Sequence, residues 1–77
     1  MRVEVYGTQS CTYCKQAVSL CENKSVECDY IDVGIEVNLK NLTDRLGVRP
    51  RTVPQIFVDG RHLSKGYDEL RAELADK

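Results

Sequence analysis

The sequence predicts an α/β fold: a four-stranded mixed sheet flanked by helices, in the order β-α-β-α-β-β-α. Three observations point there. Short segments of period two alternate with longer segments of helical period. The first of them form a strand–helix–strand unit, which connects parallel strands with right-handed chirality. An Asp-Gly pair then joins the last two strand-like runs, a hairpin signal. At 77 residues the chain is expected to be one domain over positions 1–77.

The first strand is "RVEVYG", where Val3 and Val5 alternate and Gly7 ends the pattern. From Ser10 the period changes. Cys14, Ala17, Val18 and Cys21 fall at i, i+3, i+4 and i+7, an apolar stripe on a helix running to about Lys24, with Ser10 as its N-cap. "ECDYIDV" is the second strand, carrying β-branched Ile31 and Val33. A polar helix runs from about Glu36 to Leu46, with Leu39, Leu42 and Leu46 inward and Gly47 as its stop. "RPRTVP" reads as a stiff, basic loop, and "QIFVDG" as a buried strand. Asp59-Gly60 turns the chain into a short fourth strand at "RHL". Gly66 opens the last helix, and Tyr67, Leu70 and Leu74 are spaced to face a core.

Composition narrows the function. A formal charge of −1 gives no broad attraction to nucleic acid or to an anionic membrane, so neither is expected as a partner. No apolar run approaches the roughly 18 residues of a membrane span. The opening "MRVEVYG" is too short and too polar for a secretory signal. The expectation is a monomer in the reducing cytoplasm. Four cysteines are about 5% of the chain, below the roughly 8–10% of a disulfide scaffold. Count and compartment both disfavour stapling.

The cysteine pair in "CTYC" carries the chemistry. Cys11 lies where the first loop meets the first helix, and Cys14 is one turn further in. Such residues have Cβ atoms roughly 5–6 Å apart, and modest rearrangement brings them within disulfide reach. The loop they close is tiny, so the entropic gain of the bond is small. A zinc site of this kind needs a second close ligand pair, which Cys21, Cys28 and His62 do not form, and no metal is expected. Reversible redox chemistry is the favoured reading. Unpaired N–H groups at a helix start favour an anion, so Cys11 is expected to be the attacking thiolate, with Lys15 adding a nearby charge, and Cys14 the resolving thiol. Cys21 and Cys28 read as small buried hydrophobes, and His62 as a surface residue rather than a general base.

With "CTYC" after the first strand, "RTVPQIFVDG" through the third and "KGYDEL" opening the last helix, the sequence resembles the glutaredoxins over essentially its whole length. The resemblance implies a thioredoxin-like fold and a glutathione-dependent thiol–disulfide oxidoreductase acting on protein disulfides and glutathione mixed disulfides. It further implies glutathione as co-substrate, no tightly bound cofactor, and disulfide-containing proteins such as ribonucleotide reductase as clients. It places a cis bond at Val53–Pro54, with Pro54 packed beside the disulfide. Arg51 would meet the glycine-end carboxylate, and Thr52 and Val53 would supply a backbone edge. N–H groups near Gly66 and Tyr67 would take the γ-glutamyl carboxylate, Asp68 its amine, and Tyr13 would flank the thiol. "RLGVRPR" gathers three arginines near that groove.

Three departures open alternatives. Thr12-Tyr13 stands where many dithiol members have Pro-Tyr, and some members lacking that proline hold a [2Fe–2S] cluster between two subunits. Thr8 stands where many carry lysine. "SKGY" has one residue more than the usual Gly-Gly stretch, with Lys65 in place of the first glycine. It loosely resembles the ending of redoxins recycled by thioredoxin reductase instead of glutathione.

Overall fold

The computed structural model describes residues 1–75. Asp76 and Lys77, included in the single-domain expectation, lie outside the described residues. Seven elements follow in the predicted order: β1 (Arg2–Gly7), α1 (Thr12–Asn23), β2 (Glu27–Asp32), α2 (Glu36–Leu46), β3 (Gln55–Val58), β4 (Arg61–Leu63) and α3 (Tyr67–Leu74). The sheet order is β2-β1-β3-β4. β1 runs parallel to β2, with Val3 opposite Cys28, and antiparallel to β3, with Val5 opposite Ile56. β3 and β4 form the expected hairpin. Its turn takes Asp59 and Gly60 to φ of 50° and 84°, the left-handed region that a tight hairpin demands at both central positions.

Strand alternation sends successive side chains to opposite faces and so builds two cores. On one face Val3, Val5, Ile56 and Val58 meet Ala17 and Cys21 of α1 and Leu70 and Leu74 of α3, all buried. On the other, Tyr6 and Phe57 pack with Leu42 of α2, while Ile31, Val33 and Leu46 close the edges half-buried. Arg45 seals this second core. Its guanidinium stands 3.8 Å from the Phe57 ring centroid and donates to Glu4 Oε2 and Tyr6 Oη, each at 3.0 Å.

Two local boundaries differ from the sequence reading. β2 ends at Asp32, not Val33, because Asp32 Oδ1 accepts the Gly34 N–H at 2.8 Å and turns the chain. Ser10 does not cap α1; Cys11 does, as described below. Gly47 ends α2 as expected, at φ 76°, its N–H bonded to Thr43 O. Among the described residues no helix is long and apolar enough to cross a membrane.

Candidate active site

β1 delivers the chain to the top of the sheet, and α1 starts immediately beyond it. Cys11 is the N-cap, at φ −86° and ψ 111°, and its Sγ accepts the Cys14 N–H at 3.2 Å. A sulfur thus does the work an oxygen does in most caps, satisfying one of the free donors of the first helical turn. A disulfide joins Cys11 to Cys14, whose Cα atoms are 5.2 Å apart. The two sulfurs differ in setting: Cys14 is fully buried, while Cys11 is only half-buried at the rim.

The last residue of β1 makes this possible. A Cβ on Gly7 would stand 2.8 Å from the Cβ of Cys14 and closer still to its Sγ. In the sequence Gly7 reads only as a strand terminator. A glycine in a strand that leads into a cysteine pair was a signal of close approach.

Tyr13, two residues beyond Cys11, opens onto a cleft of about 380 Å³. Tyr13 forms one side, its ring centroid 5.7 Å from that of Tyr67. Thr52, Val53 and Pro54 form a second wall, with the Val53–Pro54 bond cis, as the resemblance implied. Gly66, Tyr67 and Asp68 form the third, where α3 begins. Gly66 sits at φ 61°, ψ −127°, where an L side chain is strained, and its Cα side faces the Pro54 carbonyl. Glu69 Oε1 reaches back to accept the Lys65 N–H at 3.1 Å, tying down the residue that stands in place of the first glycine, and Lys65 lines the cleft. Asp68 and Lys65 have no ion pair among the described residues.

Seven of the eight residues expected to contact the tripeptide therefore line one cleft. Arg51 lies next door, in a hollow of about 780 Å³ that it shares with Arg49 and His62. Among the described residues only Gln55, which has no expected role, lines both. The expected group of three arginines loses a member. Arg45 is held on the second core by Glu4, Tyr6 and Phe57, leaving Arg49 and Arg51 at the hollow.

Cys21 and Cys28 face each other across the α1–β2 contact and share a hydrogen bond. Burial pushes the Cys21 thiol up. Burial first, then the bond to Cys21, pushes Cys28 up to about 12. Both remain thiols near neutral pH, as expected of small hydrophobes, although Cys28 is half-buried rather than buried. His62 is exposed, as expected. No three His, Cys, Asp or Glu side chains group as a metal site among the described residues.

Comparison with known proteins gives one consistent result. The glutaredoxin family model matches residues 3–63. Glutaredoxin 1 of Escherichia coli (strain K12) is 36% identical over 78 residues, covering 94% of this chain and 91% of that protein. Glutaredoxin 3 of the same strain is 35% identical over 71 residues, covering 91% and 82%. The solution structure of reduced E. coli glutaredoxin superimposes with a TM-score of 0.79 at 32% identity, covering 100% of this chain and 96% of that one.

Proposed function

The chain belongs to the glutaredoxin family of thiol–disulfide oxidoreductases, and we propose that glutathione is its reductant and part of its substrate. The observation that carries this reading is the cleft lined by Tyr13, two residues beyond Cys11. It joins the Thr52–Val53 backbone wall, the first turn of α3 at Tyr67 and the Asp68 carboxylate, while the Gly66 N–H is already bonded to Leu63 O at 3.0 Å. An ionic tripeptide with two carboxylates, one amine and a peptide backbone needs such a set. Arg51, from the adjoining hollow, supplies the cation for the glycine-end carboxylate. Lys65 stands on the cleft wall as a second cation.

The exchange proceeds from the reduced dithiol. The Cys14 N–H that donates to Cys11 Sγ, together with the other first-turn donors of α1, favours a thiolate there. That thiolate attacks one sulfur of a client disulfide; a new S–S bond forms, and the client's other sulfur leaves as a thiolate and takes a proton. Cys14 gives up its proton and attacks Cys11 Sγ, releasing the second client thiol and closing the Cys11–Cys14 disulfide. The client has gained two electrons, and two glutathione thiols restore the dithiol as one oxidised glutathione departs. With a glutathione mixed disulfide, Cys11 takes up the glutathionyl sulfur and a second glutathione resolves it. Ribonucleotide reductase as client, a monomeric state and a cytoplasmic site belong to the same proposal.

The test is NADPH consumption with a small disulfide substrate, driven by glutathione and glutathione reductase or by thioredoxin reductase alone. Turnover with glutathione is expected, abolished in Cys11→Ser, with the glutathione KM raised about tenfold in Asp68→Ala through loss of a charge-assisted bond. Turnover with thioredoxin reductase alone would overturn the proposal.

A further inference from the structure

Between Gly47 and Gln55 the backbone makes no hydrogen bond to another backbone group among the described residues. The β1–β3 ladder begins only at Gln55, opposite Tyr6. The Thr52–Pro54 wall of the cleft is therefore held by the packing of Val53 on the first core and by one polar side chain. Gln55 Nε2 donates to Thr52 O at 2.8 Å, closing the turn that holds the cis bond. Gln55 Oε1 meets His62 Nε2 at 2.8 Å. The carbonyl of Thr52 only accepts, so the amide orientation of Gln55 is fixed: its NH₂ faces Thr52 and its oxygen faces His62. His62 Nε2 must then carry a hydrogen. The imidazole in turn leans on Phe57, with ring centroids 5.1 Å apart and planes tilted by 41°. The chain of support runs from the second core through Phe57, His62 and Gln55 to the wall of the cleft.

We propose that Gln55 is a positioning residue for thiol–disulfide exchange, holding the Thr52–Val53 peptide where it receives the backbone of the disulfide partner beside Cys11. The inference rests on the oxidoreductase reading of the cleft and is independent of which reductant recycles the protein. An edge that pairs with a partner's backbone must be in place before the partner arrives, because ordering it on contact subtracts from binding. Gln55 supplies that order through its side chain, at the point where the ladder has not yet begun.

The experiment mixes the prereduced protein with a cyclic peptide containing one disulfide, without glutathione, and follows transfer against peptide concentration. Gln55→Glu is the informative variant. Its carboxylate keeps the bond from His62 but has no hydrogen for Thr52 O. Gln55→Glu and Gln55→Ala are both expected to raise the half-saturating peptide concentration about fivefold, the scale of one neutral hydrogen bond, with the limiting rate within about twofold. His62→Phe keeps a ring on Phe57 but removes the donor that orients Gln55, and is expected to raise it about twofold. An unchanged half-saturation in folded Gln55→Glu overturns the proposal. Should that variant not fold, an unchanged value in His62→Phe does the same. A protein that uses thioredoxin reductase in the NADPH assay but shows these shifts would refute the glutathione reading and leave the role of Gln55 standing.

Discussion

Replacing Gly7 with alanine tests how closely the sheet supports the buried sulfur. The added methyl would lie 2.8 Å from Cys14 Cβ and nearer to Sγ, with Tyr30 Cε1 at 3.5 Å. Carbon atoms pack at about 3.5–4.0 Å, so something must move by close to 1 Å. Neither side is free to do so. Gly7 is in register with Asp32 in the parallel ladder, and its carbonyl accepts the Val33 N–H at 2.9 Å. Cys14 is fully buried within α1 and bonded to Cys11. Overpacking of this kind costs about 1–3 kcal/mol. At about 4–8 °C per kcal/mol for a domain of this size, the Tm should fall by about 5–20 °C in a thermal melt of the oxidised protein. The reduced Cys14→Ala background removes the closest contact but leaves Cβ in place. There Gly7→Ala should cost less, with a coupling of about 1 kcal/mol in a double-mutant cycle. A loss under about 2 °C, or an equal loss in both backgrounds, would refute the argument that Gly7 exists to admit Cys14.

Two further outcomes follow from the packing. Cys28 has its pKa raised from an ordinary 9.0 to about 12. A raised folded value means that its contribution to stability is full below about pH 9 and drains away as pH climbs toward 12, because the unfolded thiol ionises first. Thermal melts between pH 7 and 11 should show a decline that is shallower in Cys28→Ser, and parallel declines would contradict it. Arg45→Ala removes the stack on Phe57 and the bonds to Glu4 and Tyr6, and should lower stability by about 1–2 kcal/mol in a urea titration. Arg45→Lys should restore less than half of it, since an ammonium cannot stack flat while donating to two oxygens; full recovery would argue that charge alone matters.

The elements were legible because each rests on a local pattern. Val3 and Val5 read as a strand face; Cys14, Ala17 and Cys21 read as a helix face; Asp59-Gly60 reads as a turn. Each pattern survives folding because the core it predicts is the one that forms. The helix start was harder. Ser10 and Cys11 are adjacent, and propensity favours the serine hydroxyl as a cap. What decides for Cys11 is tertiary: the first turn must hold both sulfurs within bonding reach, which fixes Cys11 just outside the helix and Cys14 inside it. Arg45 shows the same limit from another side. In the sequence it is the first of three arginines near the site, but its partners Glu4, Tyr6 and Phe57 come from two other strands. The Gln55–His62 bond joins residues on neighbouring strands through side chains alone, and nothing in "PQIFVDGRHL" distinguishes it from two exposed polar positions.

The asymmetry of the two sulfurs accounts for the order of the chemistry. A disulfide across three residues contributes little stability, so its placement answers to access. Cys14 is sealed between α1 and the end of β1, over a glycine that leaves no spare volume. A client sulfur cannot approach it in line. Cys11 is half-buried, its Sγ accepts the Cys14 N–H, and it lies two residues before Tyr13 on the cleft wall. On the mechanism proposed above, attack from outside begins at Cys11, and the resolving attack by Cys14 comes from beneath. In that proposal burial sets the direction of exchange, and the helix start favours a thiolate at Cys11. The two requirements meet in one turn of backbone because Gly7 lets the sheet come close enough to close the floor.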